Sequence, residues 1–243
     1  MKRGILYIAN ADFIKESIKS ATQLCEVMTD IHISVVTNVN VEKPCFDNVI
    51  KCTKPRFGWG DKPDNIHLSP YDKTIYFDTD TYVVSDISEI FDILNNYDMA
   101  LAQAPERVSH QIEGIPQCFP EYNTGVIAFN NNRRVNEVLN QWKEIYENRQ
   151  ENEDQPAFRK AVFENDVKVT VLPNEYNCRW PLAGNVSGRV KIFHGRLEEF
   201  DKNITGFPGK LKIEDVIKKI NSTTRCRVFV NRKDDLEVYV ADK

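Results

Sequence analysis

The chain of 243 residues lacks several features, and each absence narrows what it can be. It has no apolar run near the ~20 residues that a membrane-spanning helix needs. The apolar stretch after the basic start Met1-Lys2-Arg3 covers only residues 5–9, with no cleavage-like pattern after it. It reads as a first buried strand, and the expectation is a cytoplasmic protein without a transmembrane segment. The charge balance has no basic excess: 32 Lys and Arg against 36 Asp and Glu give a net charge of −4. No nucleic-acid partner is therefore expected. Cys25, Cys45, Cys52, Cys118, Cys178 and Cys226 form no C-x-x-C pair. Their spacing does not resemble a small secreted framework, so reduced thiols are expected. Glycine and proline are too few, at 10 and 11, for a collagenous or linker-like chain. No repeat is visible.

What is present alternates between strand and helix patterns. Residues 5–9 and 31–36 read as strands around a helix over 13–28, with Asp12 as its cap and Ile14, Ile18, Ala21, Leu24, Cys25 and Met28 on one face. That order predicts a parallel βαβ unit. Further strands are expected at 49–52, 74–77, 99–102, 125–129, 167–172 and 190–193. Residues 54–64 read as irregular. Asp86 and Glu89 suggest a capping box before a short helix. Helices are expected over 133–148, where Val135, Val138, Leu139, Trp142, Ile145 and Tyr146 form a core stripe, and from Asp154-Gln155-Pro156 through 165. Residues 105–121 form a long loop of the length that usually carries function. The tail predicts a helix around 213–220 and a hairpin of 226–230 with 236–240. Residues 1–210 are expected to form one domain, and 211–243 a helix and hairpin extension packed on it.

The stretch Lys73-Thr74-Ile75-Tyr76-Phe77-Asp78-Thr79-Asp80-Thr81 carries the most chemistry. An apolar strand ends in two carboxylates one residue apart. Buried carboxylates are costly without a partner, and a divalent cation takes oxygen ligands. The carboxyl end of a strand is also where α/β sheets bind ligands. A bare D-x-D is a weak pattern, expected about once by chance in so acidic a chain. Its place at a strand end makes it specific.

Tyr76-Phe77-Asp78-Thr79-Asp80-Thr81 with Val83-Val84 resembles the D-x-D segment of GT-A fold glycosyltransferases, nearest to the glycogenin-like and galactosyltransferase-like enzymes of family 8. The resemblance covers about residues 4–200, carried by ordered motifs. It implies a mostly parallel twisted sheet flanked by helices, and a nucleotide-sugar donor. Ile8-Ala9-Asn10 and Phe13 stand where the family holds the uracil and ribose of a UDP-sugar, and Lys62 where it places a donor lysine. Thr79 lies within the donor-binding acidic segment. Asn123-Thr124-Gly125 resembles the strand beneath the sugar, Asp154-Gln155 the pair that meets it, and Asn177 the asparagine-rich segment that follows. His194-Gly195 resembles the end of the metal site, which gives Asp78, Asp80 and His194 as ligands of Mn²⁺ or Mg²⁺. The implied reaction is retaining transfer from a UDP-sugar to a hydroxyl of a glycan or glycoprotein acceptor. Asp80, Asp154 and Arg196 are the catalytic candidates, with Asp154 the general base if the outcome inverts.

The chain departs from the family after His194. Gly195 follows at once and Phe200 stands at the family's lysine, leaving Arg196 or Lys202 to meet the leaving group. Asn10-Ala11-Asp12 replaces the acidic doublet after the first strand. A haloacid-dehalogenase-like phosphatase also places D-x-D at a strand end, but it needs Thr or Val where this chain has Tyr82. A nucleotidyltransferase would need a glycine- and arginine-rich loop where Asn10-Ala11-Asp12-Phe13 stands. A nucleotide-sugar-binding module without turnover is the alternative outside enzymes. Residues 105–121 and Asn177-Cys178-Arg179-Trp180 are candidate acceptor walls.

Overall fold

The computed structural model describes residues 1–42, 44–106, 111–148, 153–196, 211–232 and 235–241. The chain opens with β1 (Arg3–Ile8), α1 (Ile14–Val27), β2 (His32–Thr37) and β3 (Asn48–Lys51). Next come α2 (Asp61–Asn65), a 3₁₀ turn (Ile66–Leu68), β4 (Lys73–Phe77), β5 (Thr81–Val83), α3 (Glu89–Ile93) and β6 (Met99–Gln103). β7 (Tyr122–Asn130), α4 (Arg133–Asn148), α5 (Gln155–Glu164) and β8 (Val169–Leu172) complete the main layers. After a 3₁₀ turn (Asn174–Tyr176) follow β9 (Cys178–Arg179), β10 (Gly184–Val186), β11 (Ile192–His194), α6 (Ile213–Ile220), β12 (Arg227–Arg232) and β13 (Asp235–Val240).

Seven strands form the central sheet in the order β3-β2-β1-β4-β7-β6-β8. β7 runs antiparallel to β4 and β6, and the other neighbours pair in parallel. This is the mostly parallel α/β sheet that the sequence predicts. Parallel strands covered on both faces read as nearly unbroken apolar runs, and β1 is of this kind. Its Ile5, Tyr7 and Ala9 face a core with Ala21 and Leu24 of α1 and Ile90 and Phe91 of α3. Leu6 and Ile8 face the opposite core, with Trp142 of α4 and Phe158 of α5.

Two three-stranded sheets flank the main one, β5-β11-β9 and β10-β12-β13. α6 and the β12–β13 hairpin bury Ile213, Val216, Ile220, Phe229 and Leu236 against Tyr82, Cys178, Trp180 and Phe193. Cys178 and Trp180 are therefore core residues rather than an acceptor wall. Residues 233–234, at the expected hairpin turn, lie outside the described residues, as does the stretch 197–210.

Local capping differs from expectation in two places. Phe13 occupies the N-cap position of α1 without a side-chain bond. Asn10 shapes this turn instead, its Oδ1 accepting the Asp12 N–H at 2.9 Å. Ser88 precedes α3, and Asp86 folds onto it, accepting from the Ser88 N–H and hydroxyl at 2.9 Å each. Asx turns of this kind compete with helix capping for the same carboxylate. The supposedly irregular stretch before residue 65 also holds the short helix α2.

Trp142 ties the layers to the site. It is fully buried, its ring lies 4.7 Å from that of Phe158, and its Nε1–H donates to the Asp154 carbonyl at 2.9 Å. Trp142→Ala is expected to cost about 3–5 kcal/mol of stability in urea denaturation, through the cavity and the lost bond; a loss under about 1 kcal/mol would contradict this account of the α4–α5 contact.

Candidate active site

The acidic segment Asp78-Thr79-Asp80 is the link between two sheets. β4 ends at Phe77, and the Asp78 N–H donates to Gly125 O of β7 at 2.8 Å. β5 begins at Thr81 and pairs antiparallel with β11, which sets His194 opposite Thr81. The Gly195 N–H closes the corner on Asp80 O at 2.9 Å. One oxygen or nitrogen from each of Asp78, Asp80 and His194 thus lies within 4.8 Å of the other two. His194 Nε2 stands 3.3 Å from Asp80 Oδ1 and 3.7 Å from Asp78 Oδ2. Two carboxylates and one imidazole suit Mn²⁺ or Mg²⁺, the nitrogen favouring Mn²⁺.

Gly125 makes room for the imidazole. A Cβ there would come within 1.9 Å of His194 Cε1. The glycine of the Asn123-Thr124-Gly125 segment is thus a requirement of the candidate metal centre, beyond any place beneath a sugar.

Cations surround the acidic pair. Lys62, carried on α2, is buried, with its Nζ 2.9 Å from Asp78 Oδ1, 3.0 Å from Thr124 Oγ1 and 3.3 Å from Asp154 Oδ2. Burial pulls the Lys62 pKa down, but Asp154 and Asp78 outweigh it and the net direction is up, so Lys62 is an ammonium. Burial raises the Asp154 carboxyl, and Lys62 offsets only part of that. Asp154 does sit at the N-cap position of α5, yet its side chain makes no capping bond and turns to Lys62. Tyr76 donates its hydroxyl to Asp78 Oδ1 at 2.7 Å.

For Asp80, burial alone would raise the pKa, but His194 when it is protonated, with Arg179 and Arg196, outweighs it; beside a neutral imidazole the lowering falls to the two guanidiniums. Burial first, and then the positive field of Arg179, push His194 below its ordinary value of 6.5 despite Asp80. The imidazole is therefore neutral, as a ligand must be.

Several expected donor contacts are engaged elsewhere. Ile8 and Ala9 belong to the cores, and with Asn10, Thr37 and Asp61 they line a small cleft at the carboxyl ends of β1 and β2. Asn10 Nδ2 donates to Asp61 at 2.9 Å. Phe13 does not offer a free ring face, because the Arg196 guanidinium lies 4.7 Å from its centroid. Arg196 Nε is also 3.3 Å from Glu16. Thr79 donates its hydroxyl to the same Glu16. Asn123, Gln155 and Asn177 are joined to one another by side-chain bonds at 2.8–3.2 Å. Lys202 and Phe200 lie outside the described residues.

Sequence reasoning missed Glu16, and it held Glu121 and Arg179 only as members of candidate acceptor walls. A charged residue on a helix face is ordinarily solvated, and nothing local marks Glu16 as buried. Burial and then Asp80 raise its pKa to about 7, against Arg196 and Thr79.

Residues 73–191 match the family model described as nucleotide-diphospho-sugar transferase. No curated protein sequence matches the chain. Among solved structures, the glycosyltransferase GlyE of Streptococcus pneumoniae aligns with 85% of this chain at 18% identity and a TM-score of 0.57. The chain spans 57% of GlyE's length. The galactosyltransferase LgtC, solved with donor and acceptor sugar analogs, aligns with 72% of this chain and 74% of its own, at 16% identity and a TM-score of 0.54. Mouse xyloside xylosyltransferase 1 aligns with 82% of this chain and 99% of its own, at 14% identity and a TM-score of 0.52. The fold is that of GT-A glycosyltransferases, and the resemblance to family 8 holds. Among the described residues, no helix is long and apolar enough to cross a membrane.

Two outcomes are expected. Folded Glu16 keeps its proton up to about 7, whereas an unfolded chain releases it near 4.5. The folded state therefore binds the extra proton across that window, and stability falls as pH rises through it. In thermal melts of metal-free protein, Glu16→Gln should flatten that fall; an unchanged slope would contradict the burial of an ionisable Glu16. Gly125→Ala should displace His194 and weaken Mn²⁺ binding by about tenfold or more, read by paramagnetic line broadening, and wild-type affinity would refute the steric account.

Proposed function

We propose that this chain is a metal-dependent glycosyltransferase that moves a sugar from a UDP-sugar to a hydroxyl of a glycan or protein-linked glycan, with retention of anomeric configuration. The family match and the fold support nucleotide-diphospho-sugar transfer. The observation that carries the metal-dependent form is the convergence of Asp78, Asp80 and His194 at the carboxyl edge of β4. The site is on a sheet edge where such folds bind ligands, and it is ringed by cations that suit a diphosphate.

Asp78, Asp80 and the neutral His194 would hold Mn²⁺ or Mg²⁺. When bound, the metal neutralises the charge that develops on the departing diphosphate. Arg196, whose charge already acts on Asp80, adds positive charge at the same place once it leaves Phe13. The nucleoside lies along Ile8, Ala9 and Asn10, and its stacking on Phe13 requires Arg196 to move off that ring. Asn123, Thr124, Gln155 and Lys62 surround the sugar, with the Lys62–Asp154 pair keeping its floor polar and rigid. In the retaining reaction the bond from the anomeric carbon to the diphosphate oxygen breaks. The acceptor oxygen bonds to the same face of that carbon, and its proton passes to a diphosphate oxygen. Asp154, held 3.3 Å from Lys62, is less suited to act as a free base than as a positioning group. The fold disfavours the phosphatase alternative. A binding module without turnover is the remaining one, and assay separates it.

Calorimetric titration with UDP should show binding that needs Mn²⁺ and is lost in Asp80→Ala. A donor screen by product analysis should then find turnover with one UDP-sugar. UDP binding with no turnover on any donor would favour the binding module, and absence of UDP binding with Mn²⁺ present would sink the donor assignment. The retained metal affinity should be flat at neutral pH and fall only below about 6.5, because His194 titrates under its ordinary value.

A further inference from the structure

We propose that Asn177, and behind it Glu121, are positioning residues for His194, acting through a one-way relay of side-chain hydrogen bonds that fixes the imidazole tautomer. The inference rests on the metal-site reading given above, and it reassigns Asn177 from sugar contact to metal-ligand support.

The direction of the relay follows from groups whose roles are not adjustable. The Gly125 backbone N–H can only donate, and it meets Asn123 Oδ1 at 3.1 Å. That same oxygen lies 2.8 Å from the Asn177 amide, so the nitrogen of Asn177 faces it. The oxygen of Asn177 therefore faces His194 Nδ1, at 2.8 Å, and Nδ1 must carry the proton. A neutral imidazole with its proton on Nδ1 has its lone pair on Nε2. Nε2 is the atom that points at Asp78 and Asp80.

The other arm reaches the same answer. Asn123 Nδ2 donates to Gln155 Oε1 at 3.2 Å, and Gln155 Nε2 donates to the fully buried Glu121 carboxylate. With Asn123 already oriented by the Gly125 N–H, Gln155 turns its oxygen to Asn123 and its amide N–H to Glu121. The fixed Gly125 donor thus orients the amides of Asn123, Asn177 and Gln155 in one sense. Asn177 and His194 are only 4% and 2% exposed, which leaves water little chance to substitute for a missing partner.

The relay opposes what the local carboxylates would choose. Without it, an Nε2–H donated to Asp80, 3.3 Å away, would satisfy the imidazole and close the site to a cation. With Nδ1–H committed to Asn177, the Nε2 lone pair is reserved for a metal. Outer partners that fix a ligating histidine commonly matter this much for metal affinity. Each relay amide nitrogen keeps a second N–H, so Asn123 and Gln155 can still meet a sugar hydroxyl.

The test has two readouts that need no turnover. First, metal-free full-length protein labelled with ¹⁵N-histidine is examined by NMR at neutral pH, with His194→Asn used to assign the ring signals among the four histidines. The expected result is the Nδ1–H tautomer at His194; an Nε2–H tautomer in wild-type protein would overturn the proposal, whatever the variants do. Second, Mn²⁺ alone is titrated and followed by electron paramagnetic resonance. Asn177→Leu is expected to weaken Mn²⁺ by about 10- to 100-fold, while Glu121→Gln, whose amide oxygen can still accept from Gln155, stays close to wild type. Folded Asn177→Leu that binds Mn²⁺ like wild type would also overturn it. Wild-type protein with the Nδ1–H tautomer that binds no Mn²⁺ would support the relay and contradict the metal-dependent function, so the two readings fail separately.

Discussion

Two carboxylates at the end of a fully buried strand have to be neutralised, and much of the surrounding architecture is arranged to do it. β4 is buried along its whole length, so Asp78 and Asp80 emerge from the interior rather than from solvent. Leaving such charges unpaired would cost several kcal/mol each. The chain answers from widely separated positions: Lys62 from α2, Arg179 from β9, and His194 and Arg196 from β11 and just beyond it. Lys62 and Arg179 come from parts of the sequence separate from each other and from the His194-Gly195-Arg196 segment, and the charge problem therefore helps to fix the tertiary arrangement.

The same arrangement explains why the acidic segment joins two sheets. Asp78 is tied by its backbone to β7 of the large sheet, and Asp80 by its carbonyl to Gly195 beyond β11 of the small one. Rigidity at this corner serves ligand chemistry, because catalytic gain comes from groups that need not reorganise. Arg196 is the exception. It is held between Phe13 and Glu16, in space that the proposed function assigns to the donor.

The α/β alternation, the parallel sheet and the place of the acidic pair were legible because each has a local signature: unbroken apolar runs, a helical stripe such as Val135 to Trp142, and carboxylates at an abrupt strand end. The proposed ligand His194 was legible only through family resemblance, since a histidine ending a short strand has no distinguishing pattern of its own. The contacts of Glu16, Glu121 and Arg179 at this site were not legible. Their roles depend on partners 63, 34 and 99 residues away, respectively Thr79, Gln155 and Asp80, and charged residues carry no local mark of burial. The surroundings of Phe13 were hidden as well. The resemblance gives it as a donor contact, and only the fold shows a guanidinium lying on its ring.

The central claim is that Asp78, Asp80 and His194 together bind a divalent cation. The most direct measurement is an anomalous-difference map from crystals grown with Mn²⁺ and UDP. A single strong peak is predicted between the two carboxylates and His194 Nε2, with the Nδ1 contact to Asn177 intact. A peak bound elsewhere, or His194 donating Nε2–H to Asp80 with no metal between them at saturating Mn²⁺, would contradict the account.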